Sequence, residues 1–94
     1  LSQHVRVLGA VVQKLVGHPC ASTFWGIHER LEEANDPFDP EEVDCYRIPA
    51  ARQRLHREHF VHRGGVLAYY WQHPDGDVEI HDVVLPEEHE RSGE

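Results

Sequence analysis

The sequence predicts one small α+β domain, a helical hairpin packed on a small antiparallel sheet. Three observations predict it. Two apolar stripes at helical spacing occupy the first third of the chain; a Gly64-Gly65 pair divides two strand-like runs; and a third run follows the turn Pro74-Asp75-Gly76-Asp77. Ninety-four residues are enough for one modest core and too few for two, so 1–94 reads as a single domain.

The first helical stripe is Val5, Leu8, Val12, Leu15 and Val16, widened by Val7 and Val11. Gly17-His18-Pro19 ends it, because Gly tolerates left-handed geometry and Pro blocks continuation. The stripe fits a helix over Val5 to Val16; an alternative makes Val5 to Leu8 the end of a strand, with the helix starting near Gly9. The next helix is expected after Ser22 or Thr23, either of which can cap orphan amides. Phe24, Ile27, His28 and Leu31 form its apolar side, Glu29, Glu32 and Glu33 its wet side, and Asn35-Asp36-Pro37 its stop. The short break between the helices makes them a hairpin.

Asp36 to Cys45 reads as an acidic loop anchored by Phe38 and Val43. Tyr46 to Ile48 is a short strand ended by Pro49. Ala50 to Glu58 is compatible with a helix or an irregular arm. The meander follows: strand 59–63, a Gly-Gly turn that reaches positive φ cheaply, strand 66–72, a turn, strand 78–85, then Pro86. Glu87 to Glu94 is a polar, flexible tail. On the middle strand Val66, Ala68 and Tyr70 share one face and Leu67, Tyr69 and Trp71 the other. Both faces are apolar or aromatic, as in a central strand with helices on one side and a groove or partner on the other. On the last strand neither face is clean.

The net charge of -8 disfavours non-specific contact with nucleic acid or an anionic membrane. No run of apolar residues is long enough to span a bilayer. Leu1 to Val16 lacks a small-residue cleavage pattern and does not read as a signal peptide; the chain opens on Leu rather than Met, which leaves room for upstream residues. Cys20 and Cys45 fit free thiols of a reducing compartment; one disulfide is possible, but nothing suggests a cysteine framework. A cytoplasmic location is expected. The charge alternates along the chain. Glu29 to Tyr46 carries eight acids and one base, Arg47 to Arg63 five arginines and one acid, and Asp75 to Glu94 eight acids and one base. Arg52, Arg54, Arg57 and Arg63 are therefore candidates for an anion-binding surface; the competing assignment pairs them with the flanking carboxylates.

His56, His59 and His62 form HxxHxxH, and His73, His81 and His89 add to the count. Imidazole binds zinc well, but neighbours of unlike parity in a strand point to opposite faces, so no metal site and no cofactor is expected. The candidates for phosphodiester chemistry are His62 or His81 for proton exchange, Arg63, Arg57 or Arg54 for phosphate, and Tyr69 or Tyr70 for stacking on a base. The competing role of the tyrosines and Trp71 is packing.

The order of helical hairpin, "DPFDP" segment and meander resembles the RelE/ParE superfamily of bacterial toxins. The pieces that carry the resemblance are Asp36-Pro37, the run His59 to Tyr70 set against the family's "YRIRVGDYRVLY", and Asp75 to Val84; together they span roughly residues 9 to 85. The sequence also departs from the pattern. An ungapped match sets the family's first strand arginine on His62, the next strand's opening arginine on Leu67, and its terminal "HR" near Leu85-Pro86, with Arg63, Arg57 and His89 nearby. Ribosome-entering toxins are basic, and this chain is acidic. The resemblance implies a toxin of a toxin–antitoxin system, acting on RNA at the ribosome through a groove of His62, Arg63, Tyr69 and His81, with an antitoxin-like protein or a second copy as partner. The alternatives are a catalytically inactive interaction module on the same scaffold and a dimeric α+β metal-binding protein.

Overall fold

The computed structural model describes residues 3–88; of the expected tail and its His89, 89–94 lie outside them. The elements in order are β1 (Val5–Val7), α1 (Gly9–Leu15), α2 (Ala21–Glu33), α3 (Pro40–Val43), β2 (Cys45–Arg47), β3 (His59–Arg63), β4 (Val66–Gln72) and β5 (Val78–Val84). One five-stranded sheet runs β1-β5-β4-β3-β2. The meander β3-β4-β5 is antiparallel, as expected, and β2 joins β3 antiparallel. β1 pairs parallel with β5, Val5 opposite Val78 and Val7 opposite Ile80. The sheet is therefore mixed rather than antiparallel.

Val5 to Val7 is a strand, the second of the two assignments, because its backbone finds β5. Leu8 stays extended (φ -61°, ψ 140°) and the helix begins at Gly9. The half-buried His28 of α2 reinforces the pairing, its Nε2 donating to the Val5 carbonyl at 2.8 Å. This shortens the first stripe. α1 has seven residues and buries Val11 and Leu15, whereas Leu8, Val12 and Val16 are 44%, 36% and 77% exposed. α2 starts at Ala21 with Cys20 as its cap residue and no side-chain cap. Ser22 and Thr23 fall inside its first turn; instead His18 Nδ1 accepts from the Cys20 amide at 3.0 Å. Phe24, Ile27 and Leu31 are buried as expected. They meet Val61, Val66, Ala68, Tyr70, Ile80 and Val83 in one continuous core on one face of the sheet.

The acidic segment is not all loop. Asp39 accepts from the Glu41 amide at 3.0 Å, Pro40 opens the turn, and Asp44 closes it in the left-handed region at φ 55°. Phe38 and Val43 anchor it. Residues 49–57 form an arm rather than a helix: the only regular features are tight turns, and Arg57 reaches φ 54°.

β5 carries a β-bulge. Tyr70 opposes Ile80 and Tyr69 opposes Asp82, so His81 is the extra residue. The inward series is consequently Val78 and Ile80, then Val83, each almost fully buried. A strict alternation over 78–85 mixes two phases, which is why neither face looked clean.

Candidate functional site

Strand parity assigns the second face of the sheet. Tyr46, Phe60 and Tyr69 oppose one another across β2, β3 and β4. Their rings form a row, Tyr46 stacked on Phe60 at 5.1 Å and Phe60 tilted against Tyr69 at 5.3 Å. His81 continues the row at 6.3 Å from Tyr69. Farther along β4, Trp71 lies 4.1 Å from His73, and both contact Glu79.

The arm after β2 leans over this face. Ile48, Arg52, Arg54 and Glu58 enclose, with Tyr69, His81, Asp82 and Val84, a recess of about 220 Å³. It runs on past Leu55 along Arg54, Glu58, His81 and Asp82. The face is thus covered in part by the chain itself: Leu67 is buried, and Tyr69 and Trp71 are half-buried.

Glu58 is the unusual group in the recess, a carboxylate only 3% exposed. Ile48 donates its amide to the Glu58 carbonyl, and the Arg54 amide donates to Glu58 Oε1 at 3.2 Å. Glu58 Oε2 lies 2.8 Å from His81 Nε2. The nitrogen is fully buried, yet its angles to Oε2 miss those of a hydrogen bond. The contact is a close approach that a rotation of the imidazole would convert into a hydrogen bond. The bulge creates it, because the extra residue turns His81 and Asp82 together towards the arm. Burial, and then the Asp82 and Glu58 carboxylates, raise the pKa of the Tyr69 phenol. Tyr69 therefore keeps its proton at neutral pH and acts as a donor.

The expected residues divide between places. Tyr69 and His81 come together in the recess. His62 lies on the same face one pair along, opposite Leu67 and towards the hairpin, while Arg63 has the other parity and stands exposed at the turn. Arg52 and Arg54 line the recess; Arg57 faces a different pocket, with its guanidinium 4.2 Å over the Phe38 ring. The four arginines thus occupy three locations. Among the described residues, none of them joins an ion pair with the flanking acids; the Lys and Arg pairs there are Arg6–Asp77 and Lys14–Glu88. Sequence reasoning missed Glu58. Its one signal was being the sole acid in the arginine-rich stretch.

His59 and His62 point to opposite faces of β3. Among the described residues no group of three or more His, Cys, Asp or Glu is placed to hold a metal ion, and both cysteines are free. No helix of the described residues is long and apolar enough to cross a membrane. The chain matches no protein-family model, no curated protein and no solved structure.

Proposed function

We propose that the chain is a RelE/ParE-like toxin module of a toxin–antitoxin system, a cytoplasmic endoribonuclease that works on RNA held at the ribosome. The observation that carries this reading is the Glu58–His81 approach of 2.8 Å in a recess that also holds Tyr69, Arg52 and Arg54. A buried carboxylate 2.8 Å from Nε2 favours the proton on that nitrogen and leaves Nδ1 as the base. Nδ1 takes the proton of a ribose 2′-hydroxyl; O2′ bonds to the adjacent phosphorus; the P–O5′ bond breaks, and the departing O5′ receives a proton from Tyr69. The products are a 2′,3′-cyclic phosphate and a 5′-hydroxyl. Arg52 and Arg54 offset charge on the phosphoryl oxygens. The row of Tyr46 and Phe60 gives unpaired bases a stacking surface.

The test is expression in a bacterial host, followed by cleavage assays on ribosome-bound message. Growth arrest is expected, and His81→Ala or Glu58→Gln should relieve it and slow cleavage by about 100-fold or more, the usual contribution of a general base. Unimpaired growth with no cleavage would leave the catalytically inactive interaction module. One observation favours that second reading: Val12 of α1, Leu8 and Val16 at its two ends, and Trp25 of α2 are exposed apolar side chains. An antitoxin-like protein or a second copy would cover them.

A further inference from the structure

A second pocket, about 350 Å³, opens where the end of β2 and the start of β3 meet the arm. Arg47, Gln53, His56, Arg57 and His59 line it. Arg47 and His59 are opposite one another in the ladder and have the parity contrary to Phe60 and Tyr69, so this pocket is separate from the recess. No carboxylate is in its lining, in a chain of net charge -8. Its two guanidinium groups join no ion pair among the described residues. Arg57 is held in place by the Phe38 ring beneath it and by its hydrogen bond to Gln72 Oε1 at 2.9 Å.

The two neutral groups are equally defined. Gln53 donates Nε2 to the Ile48 carbonyl at 2.7 Å, which fixes the amide orientation and leaves Oε1 as its remaining polar atom. His59 is 6% exposed, and its Nδ1 sits 2.8 Å from the Arg57 carbonyl, so Nδ1 carries the proton and Nε2 is an acceptor. Burial, with the nearby Arg57 and Arg47 charges, lowers the His59 pKa and keeps the ring neutral. The pocket therefore offers two cations, Arg57 held in place and Arg47 exposed at the rim, beside two acceptors. An inorganic anion would satisfy only the first pair. Its volume lies within the range of small-molecule sites, about 300–1,000 Å³, and exceeds what a bare phosphate fills.

We propose that this pocket binds a phosphorylated ribose, its phosphate held by Arg47 and Arg57 and its hydroxyls donating to Gln53 Oε1 and His59 Nε2. The source is a free ribonucleotide or the 5′-end of an RNA strand, and the site does not depend on catalysis at the recess.

The experiment is a calorimetric titration of the full chain with AMP, 2′-deoxy-AMP, adenosine and inorganic phosphate, with the imidazole resonances of His56 and His59 followed in parallel. AMP should bind saturably and shift both. Adenosine and inorganic phosphate should each bind about tenfold or more weakly, and 2′-deoxy-AMP several-fold more weakly. Arg47→Ala, at an exposed side chain, should lower AMP affinity about tenfold; Gln53→Leu should erase the preference for AMP over 2′-deoxy-AMP. A 5′-phosphorylated RNA hexamer, titrated into His81→Ala to prevent cleavage, identifies the source: tighter binding than AMP marks the strand end, equal binding the free nucleotide. AMP binding that is absent, no tighter than inorganic phosphate, or unchanged in Arg47→Ala would overturn the proposal. Because AMP is not a cleavage substrate, these outcomes are independent of growth arrest.

Discussion

Tyr70 fastens the acidic segment to the sheet. The residue is fully buried, and its hydroxyl donates to the Pro37 carbonyl at 2.5 Å. Tyr70→Phe keeps the ring and strands the carbonyl, so a loss of about 1–3 kcal/mol is expected in urea denaturation. Burial, first, and then the Cys45 thiol raise the Tyr70 pKa far above the ordinary phenol value. A raised folded pKa means that this contribution is complete below the unfolded value of about 10 and declines as pH rises beyond it. Stability should therefore fall above about pH 10 in the native chain, and the fall should be smaller in Tyr70→Phe. His59 acts at the other limb. Its folded pKa is lowered by burial, so its contribution is present above the unfolded value of about 6.5 and is lost as pH falls below it. Replacing His59 with Gln should flatten that acid limb, as read by denaturation midpoints between about pH 7 and 5.

At the scale of elements, the hairpin between β3 and β4 depends on two glycines, at φ 57° and 81°. A Cβ on Gly65 would come within 3.1 Å of Pro86 Cγ, and one on Gly64 within 3.2 Å of Thr23 Cγ2. Gly65→Ala should cost about 1–2 kcal/mol for left-handed backbone, plus the displacement of Pro86, and thermal unfolding will measure it. This turn was legible because Gly-Gly between two apolar runs has few other uses. The 59–63 and 66–72 strands and the buried side of α2 were legible for the same reason: local pattern and tertiary role agree. Asp39-Pro40-Glu41-Glu42 carried a readable signal as well, an N-cap followed by Pro and acids, which the surrounding prolines obscured. The bulge was harder. The spacing from Ile80 to Val83 breaks the two-residue period, but only pairing with Tyr69 and Tyr70 shows that His81 is the inserted residue. Glu58 was hidden because its burial depends on an arm with no periodicity of its own. β1 was ambiguous since three residues cannot establish a period, and its partner lies almost at the other end of the chain.

On the scale of the whole molecule, β1 closes one edge of the sheet over β5, and α2 holds it there through His28. Val5 is 1% exposed, a burial worth about 1.5–3 kcal/mol for a residue of its size. Removing residues 1–8 should cost at least that and leave the β5 edge open, a template for pairing between chains. Denaturation and sedimentation of the shortened chain will report both; a monomer of unchanged stability would show β1 to be dispensable. The parallel pairing also orders events in time. Synthesis proceeds from the amino terminus, so β1 leaves the exit tunnel well before β5, which also supplies His81 and Asp82. The nascent chain can assemble its helical hairpin early, but it cannot close the sheet or complete the recess until β5 has emerged. A chain stopped short of Val78 has neither this pairing nor the Glu58–His81 contact, so β1 waits beside an empty edge until the strand that completes both has been made.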